Sequence, residues 1–183
     1  MKKILALMLL CFLSVPFISA QENEFVVGDK VVNIGIGLGS TLYSGSYYKS
    51  SVPPISISFE KGIIDGVLDK GVIGIGGYLG YSSYKYEYYG WGWKYSNLIL
   101  GARGSFHYPL VDKLDTYAGI LLGYNIATSK EFGTTVGIDP YSGGGLVLSG
   151  YVGGRYYFNE KFAAMAELGY GISYLNLGIA IKL

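Results

Sequence analysis

Glu60, Arg103, Arg155, Glu167 and Lys182 each interrupt a short stretch in which every second residue is apolar. Charges of both signs held in a confined, poorly hydrated space must pair or be severely desolvated. Two uses follow from such a cluster. It can act as a structural plug of ion pairs, or as an ion path that opens when the pairs exchange. The choice of partner depends on strand register, which the sequence does not state.

His107 is the sole histidine, and Ser105 lies two residues before it. A serine, a histidine and an orienting acid make a hydrolytic nucleophile, but no third member can be assigned here. The expectation is a hydrogen-bonded interfacial histidine near the inner end of its strand, and no enzyme activity. The runs Gly35-Ile36-Gly37-Leu38-Gly39 and Gly74-Ile75-Gly76-Gly77 resemble a nucleotide loop only in composition. A phosphate cradle needs a helix after the loop, and no amphipathic helix follows either run. These glycines are expected to let side chains opposite them pack closely. Tyr84, Tyr86, Tyr88, Tyr89, Trp91 and Trp93, with Tyr47 and Tyr48, are the most unusual group. Rigid amphipathic rings suit binding surfaces. Tyr86, Tyr88, Tyr89, Trp91 and Trp93 are therefore candidates to meet an extracellular ligand, the alternative being an extended aromatic belt.

These side chains must be positioned by strands. The chain has 183 residues, 29 of them Gly and 19 Tyr, with a mean hydropathy of +0.33. Beyond Phe17 no apolar run approaches the roughly 20 residues that a membrane helix requires. Eight segments instead alternate with period two, at 30–43, 54–61, 72–84, 95–108, 116–127, 145–158, 162–172 and 175–183. Apolarity spread over short alternating segments predicts an all-β fold, an eight-stranded antiparallel up-and-down transmembrane β-barrel. The last strand would pair with the first. Ten residues tilted at about 45° cross roughly 23 Å, which matches the apolar band of such barrels. Connections 62–71, 109–115 and 159–161 read as inner turns. Connections 44–53, 85–94 and 128–144 read as outer loops.

The first twenty residues read as a signal peptide. Lys2 and Lys3 precede the apolar run Ile4–Leu13, and Ser19-Ala20 offers a cleavage site. Residues 21–183 would then form the barrel domain. Cys11, the only cysteine, would be removed, so no disulfide, thiolate metal site or cysteine nucleophile is expected. Lys2 and Lys3 would go too, leaving 12 basic against 13 acidic residues. That balance argues against a nucleic-acid partner. No cofactor is expected.

Alternation alone also suits a soluble lipocalin-type barrel with its apolar face inward. Three features favour apolar-outward. The opposite face is mostly Gly, Ala and Ser with isolated charges, which can fill a narrow lumen. Aromatics cluster at both strand ends, with Tyr43, Tyr81, Tyr84, Tyr95 and Tyr124 toward the outside and Phe59, Phe106, Tyr108, Tyr156, Phe158 and Phe162 toward the inside. The export signal is the third.

Three stretches carry a family likeness: Asp112-Lys113-Leu114-Asp115-Thr116-Tyr117-Ala118-Gly119, Val152-Gly153-Gly154-Arg155-Tyr156-Tyr157-Phe158, and Glu167-Leu168-Gly169-Tyr170-Gly171. With the terminal strand they resemble the small outer-membrane β-barrel family that includes the OmpA transmembrane domain and OmpX, among them stand-alone porin-like barrels. The resemblance covers residues 21–183. It implies a place in the bacterial outer membrane, contact with outer-membrane lipids, and handling by the barrel-insertion machinery. The final residue of that family is usually aromatic, and here it is Leu183. The expected function is structural or surface-interacting, with a lumen filled by side chains. The alternatives are a narrow channel for ions or small solutes and, behind it, a lipid-modifying enzyme.

Overall fold

The computed structural model describes residues 23–40, 42, 48–88, 90–133 and 143–183. The proposed signal peptide, Tyr43, Tyr47 and Tyr89 lie outside the described residues. Eight strands follow in chain order: β1 (Lys30–Ser40), β2 (Tyr48–Val67), β3 (Gly71–Tyr88), β4 (Trp91–Val111), β5 (Leu114–Phe132), β6 (Gly143–Tyr157), β7 (Phe162–Gly169) and β8 (Ser173–Lys182). Each pairs antiparallel with the next, and β1 pairs with β8, closing the barrel.

Burial settles which face is inside. Ile120 and Leu122 are 63% and 58% exposed, whereas Glu60 and Arg155 are 0% exposed. The apolar face therefore points outward and the polar face fills the lumen, the inverse of a soluble barrel. Glycine makes this filling possible at two positions. A Cβ on Gly74 would lie 2.8 Å from Glu60 Oε1, and one on Gly153 would lie 2.8 Å from both Glu167 Cγ and a Tyr117 ring carbon. Any larger residue there would displace the charged side chains.

The strands overrun the expected segments. β4 has 21 residues, about 70 Å of strand and about 50 Å of height at a 45° tilt, roughly twice the apolar band. The segment 85–94, expected as a loop, is a hairpin in which Tyr86 pairs with Trp93 and Tyr88 with Trp91. Tyrosine and tryptophan are good strand formers and override the glycines between them. At the other end β2 continues to Val67, so Ile63, Ile64 and Val67 are strand residues and not part of a turn. The turn is short, with Leu68 and Asp69 at φ 52° and 81°. Between β6 and β7, Asn159 Oδ1 accepts from the backbone N–H groups of Lys161 and Phe162 at 2.9 Å each, fixing that turn.

The aromatic belts differ in part from expectation. Phe59, Tyr156, Phe158 and Phe162 are exposed on the outer wall at the inner end. Tyr124, Tyr170 and Tyr174 are exposed toward the other end. Tyr84 is buried and pairs with Tyr95 on the opposite face, so neither belongs to the outer belt.

Candidate functional site in the barrel lumen

Strand alternation aims Asn33 of β1, Ser58 and Glu60 of β2, Arg103, Ser105 and His107 of β4, Asp115 and Tyr117 of β5, Arg155 of β6 and Glu167 of β7 into the lumen, where all are buried. They form two stacked layers.

The layer nearer the chain termini centres on Arg155. Its Nη1 donates to Asp115 Oδ2 at 2.8 Å, its Nε donates to Asn33 Oδ1 at 3.0 Å, and its Nη2 donates to Glu60 Oε2. One guanidinium thus uses its planar fork to join four strands. His107 closes the layer, with Nδ1 2.7 Å from Asp115 Oδ1 and Nε2 3.1 Å from Glu60 Oε1. Carboxylates only accept, so both ring nitrogens are matched when both carry protons.

The next layer centres on Arg103. Its Nη2 donates to Glu167 Oε1 at 2.6 Å, its Nε to the Tyr151 hydroxyl at 3.0 Å, and its Nη1 to Ser58 Oγ at 3.2 Å. The Tyr117 hydroxyl donates to Glu167 Oε1 at 2.9 Å. Ser58 Oγ also accepts from Asn33 Nδ2 at 2.9 Å and so ties the layers together.

Four of the five charges expected in the lumen therefore meet in one network. Lys182 does not join it. Lys182 lies on the lumen side at the inner mouth, its side chain 23% exposed, with Nζ 3.2 Å from Asp29 Oδ2 and donating to the Glu24 carbonyl. Its place as the last residue of β8 sets its height, and alternation gives only the face. Asp115, expected in the inner turn 109–115, is a member of the network as well. His107, expected as an interfacial histidine near the inner end of β4, is buried in the lumen network there.

His107 and Asp115 have the geometry of a base and its orienting acid, yet Ser105 is directed elsewhere. Its Oγ lies 2.8 Å from the Tyr151 hydroxyl, and the second nitrogen of His107 faces Glu60. This arrangement holds no activated serine. Among the described residues no group of three or more His, Asp and Glu side chains is placed to hold a metal ion. A cavity of about 40 Å³ beside Arg103 and Glu167, also lined by Tyr78, Tyr151 and Asn176, has room for water and not for an organic ligand.

Residues 23–29 close the inner mouth. Phe25 is buried, with its ring stacked on His107 at 4.1 Å between centroids. Gly28 N–H donates to the Gly62 carbonyl at 3.0 Å, and Gly62 N–H donates to the Asp29 carbonyl at 3.0 Å. Asn23 Nδ2 donates to the Lys70 carbonyl at 2.9 Å. The segment is thus stitched to β2 and its turn and carries Phe25 into the lumen.

The aromatic candidates occupy the opposite end. Tyr86, Tyr88, Trp91 and Trp93 are strand residues of the β3–β4 hairpin. Trp93 lies 6.1 Å from Tyr86 and 5.1 Å from Trp91 between ring centroids. Lys85 Nζ sits 4.1 Å from the Phe132 ring centroid. A 2.8 Å hydrogen bond from Lys85 holds the Glu87 carboxyl below its ordinary pKa.

No protein-family model matches the chain. No curated protein matches it. Solved structures do. OprG, an outer membrane protein from Pseudomonas aeruginosa, aligns at a TM-score of 0.53 and 10% identity over 88% of this chain and 99% of that one. Ail, the attachment invasion locus protein of Yersinia pestis, in complex with the heparin analogue sucrose octasulfate, aligns at 0.52 and 11% identity over 86% and 96%. The chain has the fold of small eight-stranded outer-membrane β-barrel proteins.

Proposed function

We propose that this chain is an exported integral protein of the bacterial outer membrane, with a closed lumen and a structural or surface-interacting role. Residues 1–20 direct export and are removed, and the barrel-insertion machinery delivers the rest to the membrane. One observation carries the closed-lumen reading: Arg155, wholly buried, is bonded at once to Asn33, Glu60 and Asp115 across the bore. Opening a path there would strand at least one buried charge, which costs several kcal/mol, on the order of 3–5. Phe25 beneath the layer adds an apolar stopper. The direction of Ser105 toward Tyr151 supports a non-enzymatic reading. Any ligand would meet the outer face or the β3–β4 hairpin.

Single-channel recording of the full barrel in planar bilayers tests this. The expected trace shows no stable conducting steps. Regular steps whose size scales with salt would replace the closed lumen with a narrow channel. Gel mobility with and without boiling in SDS tests the membrane barrel itself, and a heat-dependent shift is expected.

A further inference from the structure

The rings of the β3–β4 hairpin do not face lipid. Trp91, Trp93 and Tyr95 stand an even number of residues from the lumen-facing Arg103 on β4, and no register shift intervenes in either pairing of that stretch. Tyr86 lies opposite Trp93 and Tyr84 opposite Tyr95. Directly opposed residues of antiparallel strands share a face. All five rings therefore project from the inner face of the sheet, whatever their depth. Lys85, Glu87 and Lys94 alternate to the outer face. An aromatic belt at a membrane interface needs rings on the lipid-facing wall, so these rings are not part of one.

At this end the sheet narrows. The β1–β2 ladder stops at Ile36 with Ile55, and the β5–β6 ladder at Ala127 with Gly143. Past those pairs, among the described residues, β2, β3, β4 and β5 continue paired to one another alone. Two of their rungs read Ser50, Tyr84, Tyr95, Ser129 and Tyr86, Trp93, Glu131. Tyr86, Trp91, Trp93, Tyr95 and Glu131 are half-buried, and Tyr84 is buried.

Three features select a ligand for this face. The Trp93 ring lies 6.1 Å from Tyr86 and 5.1 Å from Trp91 between centroids, the separations of rings in direct contact. The rings thus form one continuous surface, with no gap between them to cage a cation. On the two rungs the charged group is Glu131, whereas the lysines of the same strands stand on the opposite face. An anion would therefore meet a carboxylate and no cation. Hydrogen-bonding groups surround the rings. Ser82 lies opposite Asn97 one rung beneath them. These two are 0% and 1% exposed, and Ser82 Oγ and Asn97 Nδ2 have no hydrogen-bond partner. A surface of this kind suits a ligand with a flat C–H face and a rim of hydroxyls. The electron-rich ring faces attract the C–H groups, and the carboxylate, hydroxyl and amide groups match the hydroxyls. A sugar ring has that construction, and an acyl chain or a phosphate does not.

We propose that the inner face of the β3–β4 hairpin, centred on Trp93 with Tyr86, Tyr95 and Glu131, binds a neutral carbohydrate chain outside the cell. The inference rests on the surface-interacting reading above and adds the ligand class and the face that takes it.

Trp91 and Trp93 are the only tryptophans of the chain, so tryptophan emission reads this hairpin alone. The test titrates the full barrel, in a zwitterionic detergent without a sugar headgroup, with maltohexaose, cellohexaose, mannohexaose and xylohexaose. At least one is expected to give a saturable change. By calorimetry, W93A and Y86A are each expected to weaken that binding about tenfold, the upper range of one aromatic contact. W93F, which keeps a ring, should retain most of it. K94Q, beside Trp93 on the outer face, should bind as the wild type does. No saturable change with any of the four sugars would overturn the site. A response to sucrose octasulfate or to tetramethylammonium as strong as to the sugars would overturn it too, the first by assigning an anion site and the second a cation cage. Equal weakening by K94Q and W93A would overturn the inner-face assignment. Heat-dependent gel mobility is read for every variant, so that loss of binding is scored only in a folded barrel. A wild-type protein that shifts yet binds no sugar sinks this site and leaves the membrane reading standing. One that does not shift sinks both.

Discussion

The Phe25 ring lies face-on against the His107 imidazole, stacked at 4.1 Å. This contact joins a residue ahead of the first strand to the inner end of the fourth and seals the lumen network from the mouth below. Phe25→Ala should cost about 3 kcal/mol, the low end for a buried phenylalanine because the mouth borders water. His107 is the sole histidine, so its reaction with diethyl pyrocarbonate can be followed by mass. Modification should be several-fold faster in the variant. An unchanged rate would show that Phe25 does not guard the mouth.

Arg155→Met should be far more damaging than its loss of one positive charge suggests. Glu60, Asp115 and Asn33 would lose their shared donor while remaining buried. Removing one partner of a buried ion pair costs about 3–5 kcal/mol. Arg103→Met, which strands Glu167, should fall in the same range. Lys130→Gln on the surface should stay within about 0.5 kcal/mol. Urea midpoints of the folded barrel in vesicles provide the comparison, and equal midpoints would remove the network's structural role.

Adding one methyl group distinguishes a filled lumen from an open bore. Gly74→Ala presses on Glu60 and Gly153→Ala presses on Tyr117 and Glu167, each Cβ at 2.8 Å. Each should cost about 1–3 kcal/mol as overpacking. Gly145→Ala meets nothing within 4 Å and should be close to neutral. The same urea titration reads all three.

Much of this arrangement was legible in period-two alternation, because that pattern assigns a face to every residue before any register is known. It placed Glu60, Arg103, Arg155 and Glu167 in the lumen. It also placed Lys182 there, but height along the bore depends on register, and Lys182 ends at the mouth with Asp29. Asp115 was hidden because Asp112-Lys113 beside it are turn residues, although Asp115, Tyr117 and Gly119 already alternate inward. Phe25 carried no signal, since residues 23–29 have no periodicity and are held by backbone hydrogen bonds to Gly62. Glycines at 90 and 92 make the β3–β4 hairpin read as a loop in the sequence. Cross-strand pairing of Tyr86 with Trp93 and Tyr88 with Trp91 extends the sheet instead.

A charge on the outer wall should report lipid contact. Leu122 is exposed midway along β5. Leu122→Arg should cost about 2–4 kcal/mol in a bilayer, as arginine does at the midplane of such barrels. The same substitution at Lys94, near the outer end of β4, should cost close to nothing. Matching penalties at the two positions would contradict a membrane-facing wall.

Arg155 is separated along the chain by 122 residues from Asn33 and by 95 from Glu60. Contacts so remote in sequence are rewarded only after the loop-closure entropy of nearly the whole barrel has been met. Strands β1, β2, β5 and β6 must all be in register before the guanidinium finds its partners. The network is therefore a late event in folding. A mutation at Arg155 should mainly hasten unfolding, leaving the rate of assembly almost unchanged.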